Sequence, residues 1–126
     1  MVRLATRSDE PRLVILSLSR VELHAAIMRR FRSSELSTES LQTALASFNQ
    51  HLSSVFVVQS ITEALLERAV SVIDAQQLRA YDAIQLAACL TLTLPDVGGL
   101  ATFVSADRRL LEAAKAEGLS TLDPSA

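Results

Sequence analysis

Cysteine occurs once in this chain, at position 89, so no intrachain disulfide can form. No Cys/His spacing suited to zinc occurs either. Glycine and proline number three each, which points to a helix-rich chain rather than one broken into many short turns. No apolar run approaches the ~20 residues of a membrane span. Met1 to Pro11 is polar and charged, unlike a signal peptide. Positive charge is not in surplus: 12 Lys and Arg stand against 14 Asp and Glu, for a net −2. That balance argues against a broadly basic surface that coats nucleic acid, and leaves room for a local basic patch. Together these absences predict a soluble, cytoplasmic protein.

What is present is apolar. Hydrophobic residues make up 49% of 126, enough to bury the core of one domain and to exclude general disorder. No internal repeat or low-complexity linker interrupts the chain. The organising stretch is Leu78–Leu90, apolar on nearly every face from Ala83 onward, which predicts a buried helix. Cys89 lies inside it and reads as a small buried hydrophobe. Asp82 opens that helix. A carboxylate there needs a cap, a partner or a cation.

Read in order, Leu13–Leu16 predicts a strand and Arg20 to Arg32 a helix, with Ser19 and Glu22 spaced as a capping box. A second helix is expected from Thr38 to Leu52, then a strand at Val55–Val58. Thr62 is placed to cap a third helix. The Asp82 helix ends before Pro95, and Asp96–Gly99 reads as a turn. Thr102–Ser105 predicts a strand. Asp107 begins a helix that Gly118 closes, and Leu119–Leu122 ends the pattern.

Strands separated by helices imply parallel pairing, with the functional crevice outside the strands' carboxyl ends. Glu22 and Asp107 each follow such an end, and Asp82 begins a helix. Capping explains all three. Convergence on a hard ion such as Mg²⁺ or Mn²⁺, which all-oxygen sites select, is on spacing alone the minority reading beside it. Arg29, Arg30 and Arg32 form a basic cluster that suits a helix C-terminus or a phosphate contact. Arg79 and Arg108 stand beside the candidate acids, to pair with a carboxylate or to hold RNA phosphate; pairing is the expectation. Tyr81 reads as core or as a base-stacking ring, and Gln85 as a support for Asp82. His24, just past Glu22, is expected on the surface or between helices.

Three segments carry a family resemblance: Ser17–Glu22, Leu78–Ala83 and Phe103–Leu110, in that order and spacing, with Gly118-Leu119 and Leu122-Asp123-Pro124 as the ending. From Leu13 onward the chain resembles the PIN-domain family, in particular VapC-type toxins. The resemblance implies an α/β fold of three layers, with a short parallel sheet flanked by helices. It implies a Mg²⁺- or Mn²⁺-dependent endoribonuclease, dimeric and inhibited by a VapB-like antitoxin. Glu22, Asp82 and Asp107 would be the catalytic and metal-site acids, with Ser105 as an auxiliary polar group.

One departure stands out. The family begins with a central strand that carries an Asp, and no such residue appears here. One alignment sets Met1–Thr6 against that strand, with Ala5 where the Asp belongs. The preferred one makes Val2–Asp9 the tail of the family's first helix. Residues 1–126 then form a single, N-terminally incomplete domain whose first central strand is absent or replaced. An empty central slot would expose two rows of backbone groups, so closure of the sheet or strand exchange in an oligomer is expected. Weaker metal binding also follows. The competing reading is a truncated, non-catalytic module that dimerises or binds an antitoxin; a third is a helix-rich domain whose acids only cap helices.

Overall fold

The computed structural model describes residues 2–5, 11–54, 56–92 and 100–125. In chain order it runs β1 (Val2–Ala5), β2 (Pro11–Leu16), α1 (Ser17–Arg32), α2 (Thr38–Ser54), β3 (Phe56–Gln59), α3 (Glu63–Gln76), α4 (Ala80–Leu92), β4 (Leu100–Val104), α5 (Arg108–Ala116) and β5 (Ser120–Leu122). The helix-rich α/β expectation holds. The turn expected at Asp96–Gly99 lies outside the described residues.

The five strands form one sheet in the order β3-β2-β1-β4-β5. β2 pairs with β3, and β4 with β5, in parallel. β1 lies between the two pairs and runs antiparallel to both neighbours. This corrects the expected helix tail: Val2–Ala5 is a strand, while the rest of that segment lies outside the described residues. The central position is replaced from within the same chain, so no second chain is needed to fill it. The register sets Val2 opposite both Val14 and Phe103. Each ladder row of β1 then satisfies backbone groups that an empty slot would leave exposed.

Local rules account for most boundaries. Thr62 caps α3, its hydroxyl accepting the Leu65 N–H at 3.1 Å. Asp107 caps α5, one carboxylate oxygen accepting the N–H of Arg109 at 3.0 Å and of Leu110 at 3.3 Å. Gly118, at φ +87°, ends α5 in a left-handed turn. There the Leu119 N–H reaches the Ala114 carbonyl and the Gly118 N–H reaches that of Lys115. The Ser19–Glu22 capping box does not form. β2 passes straight into α1 at Ser17, with extended Leu16 at the cap position and no side-chain cap. Ser19 and Glu22 therefore lie inside the helix.

The core gathers β2, α3, α4, β4 and α5. Ala83, Leu86, Ala87 and Cys89 of α4 are fully enclosed, and Val14, Leu65, Val72, Phe103 and Ala114 pack in the same cluster. α1 and α2 contribute no fully buried residue. They pack on each other as a hairpin beside β2 and β3. No helix among the described residues is long and apolar enough to cross a membrane.

Two outcomes follow. Leu86→Ala should lower unfolding free energy by about 2–5 kcal/mol in urea titrations. Val70→Ala, at a site 60% exposed on α3, should stay within about 0.5 kcal/mol. Burial also pushes the Cys89 thiol up from 9.0 to about 12. The neutral thiol is favoured in the fold, so its contribution is complete below about 9 and is lost as pH rises toward about 12. Native Cys89 should accordingly resist iodoacetamide at mildly alkaline pH and react once the chain is unfolded.

Candidate functional site

Parallel strands deliver their carboxyl ends to one sheet edge, and the chain turns there into α1 from β2 and toward α5 from β4. A cleft of about 310 Å³ opens at this edge. Glu22, Asp82 and Asp107 all line it, with Ser19, Tyr81, Gln85 and Ser105 as its other polar groups and Ile15, Leu23, Phe103, Val104 and Leu110 as its apolar wall. The three sequence-predicted acids thus share one cavity, and Ser105 lies with them.

Each acid is held differently. Glu22, in the second turn of α1, accepts a 2.5 Å hydrogen bond from the Tyr81 hydroxyl on its Oε2. Asp107 uses Oδ1 to cap α5. The Asp107 N–H in turn donates to Ser105 Oγ at 3.1 Å, so Ser105 shapes the turn that presents this acid. Asp82, in the first turn of α4, accepts no hydrogen bond and makes no ion pair among the described residues. The cap reading therefore holds for Asp107 and not for Asp82, which meets the positive end of the helix dipole without capping it. Glu22 Oε1 and Asp107 Oδ2 also accept nothing among the described residues.

Tyr81 joins α4 to α1. Gln85, one turn on, donates its amide to the Tyr81 oxygen at 2.6 Å and to Ser19 Oγ at 3.3 Å. Gln85 thus supports Tyr81 and Ser19 and not Asp82, as the sequence suggested. Partial burial first, and then the hydrogen bond to Glu22, push the Tyr81 phenol above its ordinary value. The phenol proton stays on the ring, where it serves as donor.

The arginines differ from expectation. The only ion pair among the described residues is Arg30–Glu35, at 3.7 Å between exposed side chains. Arg79 and Arg108 pair with no carboxylate among the described residues. Arg79 lines a polar depression of about 230 Å³ that shares Asp82 and Asp107 with the main cleft. Arg108 turns instead toward a hollow lined by Glu112, Lys115 and Asp123. Arg109 joins Arg79 beside the acids, held by a 3.0 Å hydrogen bond to the Gln77 carbonyl. The sequence singled out Arg108, one residue away, because both flank Asp107; the helical turn decides which of them faces the cleft. His24 lies in a separate groove between α1 and α2 with Arg20, Arg29 and Arg32.

Three carboxylates in one cleft, each with an oxygen free of protein donors, fit a hard dication by donor chemistry. They do not form a closed cage: no group of three or more His, Cys, Asp or Glu among the described residues is close enough to hold an ion together. Mg²⁺ commonly keeps several of its waters, and such a set suits a hydrated ion held weakly.

The different holds on the acids predict different costs. Asp107→Ala should destabilise the chain by about 0.5–2 kcal/mol through loss of the cap. Asp82→Asn should change stability by less than about 0.5 kcal/mol, since no bond is lost. Urea unfolding of the two variants beside the parent checks both.

No curated protein matches the chain. The model of the PIN domain matches residues 2–116, which take in β1 to β4, the residues that line the cleft and all three acids. The chain belongs to the PIN-domain family, a fold of nuclease type.

Proposed function

We propose that the protein is a metal-dependent endoribonuclease of the VapC toxin type, cutting RNA phosphodiester bonds in the cleft lined by Glu22, Asp82 and Asp107. The observation that carries this reading is the meeting of these acids in one cavity at the carboxyl edge of the sheet. When bound, Mg²⁺ or Mn²⁺ would supply an acidified water and charge stabilisation for the phosphoryl oxygens. Asp82 would hold such an ion through its carboxylate, with Glu22 and Asp107 reaching it through the ion's waters. Arg79 and Arg109 put positive charge beside these acids, where a substrate phosphate can be drawn in against their negative field. The fourth acid of the family has no counterpart in Val2–Ala5, which favours a loosely held ion.

The same absence favours a second reading, in which the chain binds a partner and does not cut. The groove between α1 and α2 supports a partner in either case. It has a volume of about 660 Å³, an apolar floor of Val21, Ala25, Met28 and Phe48, and a rim of Arg20, Arg29 and Arg32. No acid lines it. Charge complementarity matches it to an acidic, amphipathic segment, as a VapB-like antitoxin would supply.

Cleavage of a panel of structured RNAs with Mg²⁺, Mn²⁺ or chelator separates the readings. The enzyme reading predicts metal-dependent cleavage that falls on the order of 100-fold in Asp82→Asn. Absence of cleavage by the parent chain, or equal cleavage by the variant, moves the assignment to the binding module.

A further inference from the structure

Tyr81 is the one aromatic in the cleft with a polar handle, and the function proposed above leaves it without a task. Its hydroxyl is fully engaged. It donates to Glu22 Oε2 at 2.5 Å and accepts from Gln85 Nε2 at 2.6 Å. Gln85 also donates to Ser19 Oγ, so the tyrosine sits in a short chain that ties α4 to α1. These bonds matter because α1 buries none of its residues fully. Packing alone fixes its angle to the core weakly. Glu22 is exposed, and a glutamate on such a helix would otherwise sample several rotamers.

We propose that Tyr81 is the positioning residue of the site: it holds Glu22 in one rotamer in the cleft that Asp82 also lines, with Oε2 bonded to the phenol and Oε1 left for a hydrated cation. The proposal rests on the metal-site reading and deepens it. The geometry explains why the phenol neighbours Asp82 in sequence: one turn of α4 sets both an acid and the donor that orients the acid facing it from α1. Gln85 orients the phenol in turn, since its amide N–H occupies the phenol oxygen and leaves the phenol hydrogen for Glu22. Carboxylate ligands are commonly fixed this way, and loss of such a hydrogen-bond partner typically weakens metal binding 10–100-fold.

The test is Mn²⁺ binding to the intact chain, followed by electron paramagnetic resonance of free Mn²⁺, for the parent, Tyr81→Phe, Glu22→Ala and the double variant. Phenylalanine keeps the ring, and circular dichroism verifies the fold. The expected result is affinity on the order of tenfold weaker in Tyr81→Phe. In the Glu22→Ala background the same change should have no further effect, because Tyr81 acts through Glu22. A purely structural role for the tyrosine would weaken binding equally in both backgrounds, and that outcome overturns the proposal. So does unchanged or tighter binding in Tyr81→Phe, which would make the phenol bystander or competitor. If the parent binds no Mn²⁺ at all, the metal-site reading itself falls and the proposal falls with it; if the parent binds and only the Tyr81 effect is missing, the metal site stands and the positioning role does not.

Discussion

The burial of α4 is the constraint on which the rest depends. From Ala83 to Leu90 nearly every side chain is enclosed, and Ala83, Leu86, Ala87 and Cys89 have no exposed surface. A helix surrounded this completely has one register and one rotation, because a shift of one residue would put Gln85 or Asp82 into apolar packing at a cost of several kcal/mol. The small residues Ala83, Ala87 and Ala88 let α3, β4 and α5 approach it closely. That fixity passes to the first turn. Tyr81 and Asp82 emerge where burial ends, so the positions of an acid and of a hydrogen-bond donor at the cleft are set by packing a turn away.

The sheet meets a second constraint differently. β2 and β4 run parallel to one another with a gap between them that one strand must fill. Val2–Ala5 fills it in the reverse direction. An antiparallel ladder satisfies the same backbone groups as a parallel one, so the core accepts either direction. The site does not. Reversal brings the beginning of the strand, and not its end, to the edge where the acids gather. The amino acids of Val2–Ala5 offer no carboxylate there in either direction.

Much of the fold was legible because it follows local rules. Thr62, Asp107 and Gly118 mark helix ends by side-chain and backbone preferences that act within a few residues, and all three do so in the structure. The strand at Val2–Ala5 was legible only as the less favoured of two alignments, since its four residues carry no strong pattern and one of its partners lies far along the chain. The capping box at Ser19 and Glu22 misled for a related reason. Its spacing is right, yet β2 continues directly into α1, and the helix starts too early for either residue to cap it. The acids of the cleft were legible as residue types near strand ends. Their partners were not: the Tyr81–Glu22 bond spans 59 positions, and no local spacing announces it. Arg109 displaced Arg108 because a single residue on a helix turns the side chain by about 100°.

The cleft is also electrically uneven, and the unevenness has a direction. Three carboxylates share it, and like charges in one cavity raise each other's energy. The chain answers at two of them. Backbone N–H groups at the start of α5 meet Asp107, and the Tyr81 phenol meets Glu22. Asp82 receives neither, and lies half-buried at the mouth of the most enclosed helix in the molecule. Had capping been the whole purpose of these acids, Asp82 should be the best satisfied of the three, since the helix it opens matters most to the core. It is the least satisfied. In the proposed function that residual charge is what a cation would neutralise, and the donors on Glu22 and Asp107 keep those acids oriented without spending both of their oxygens.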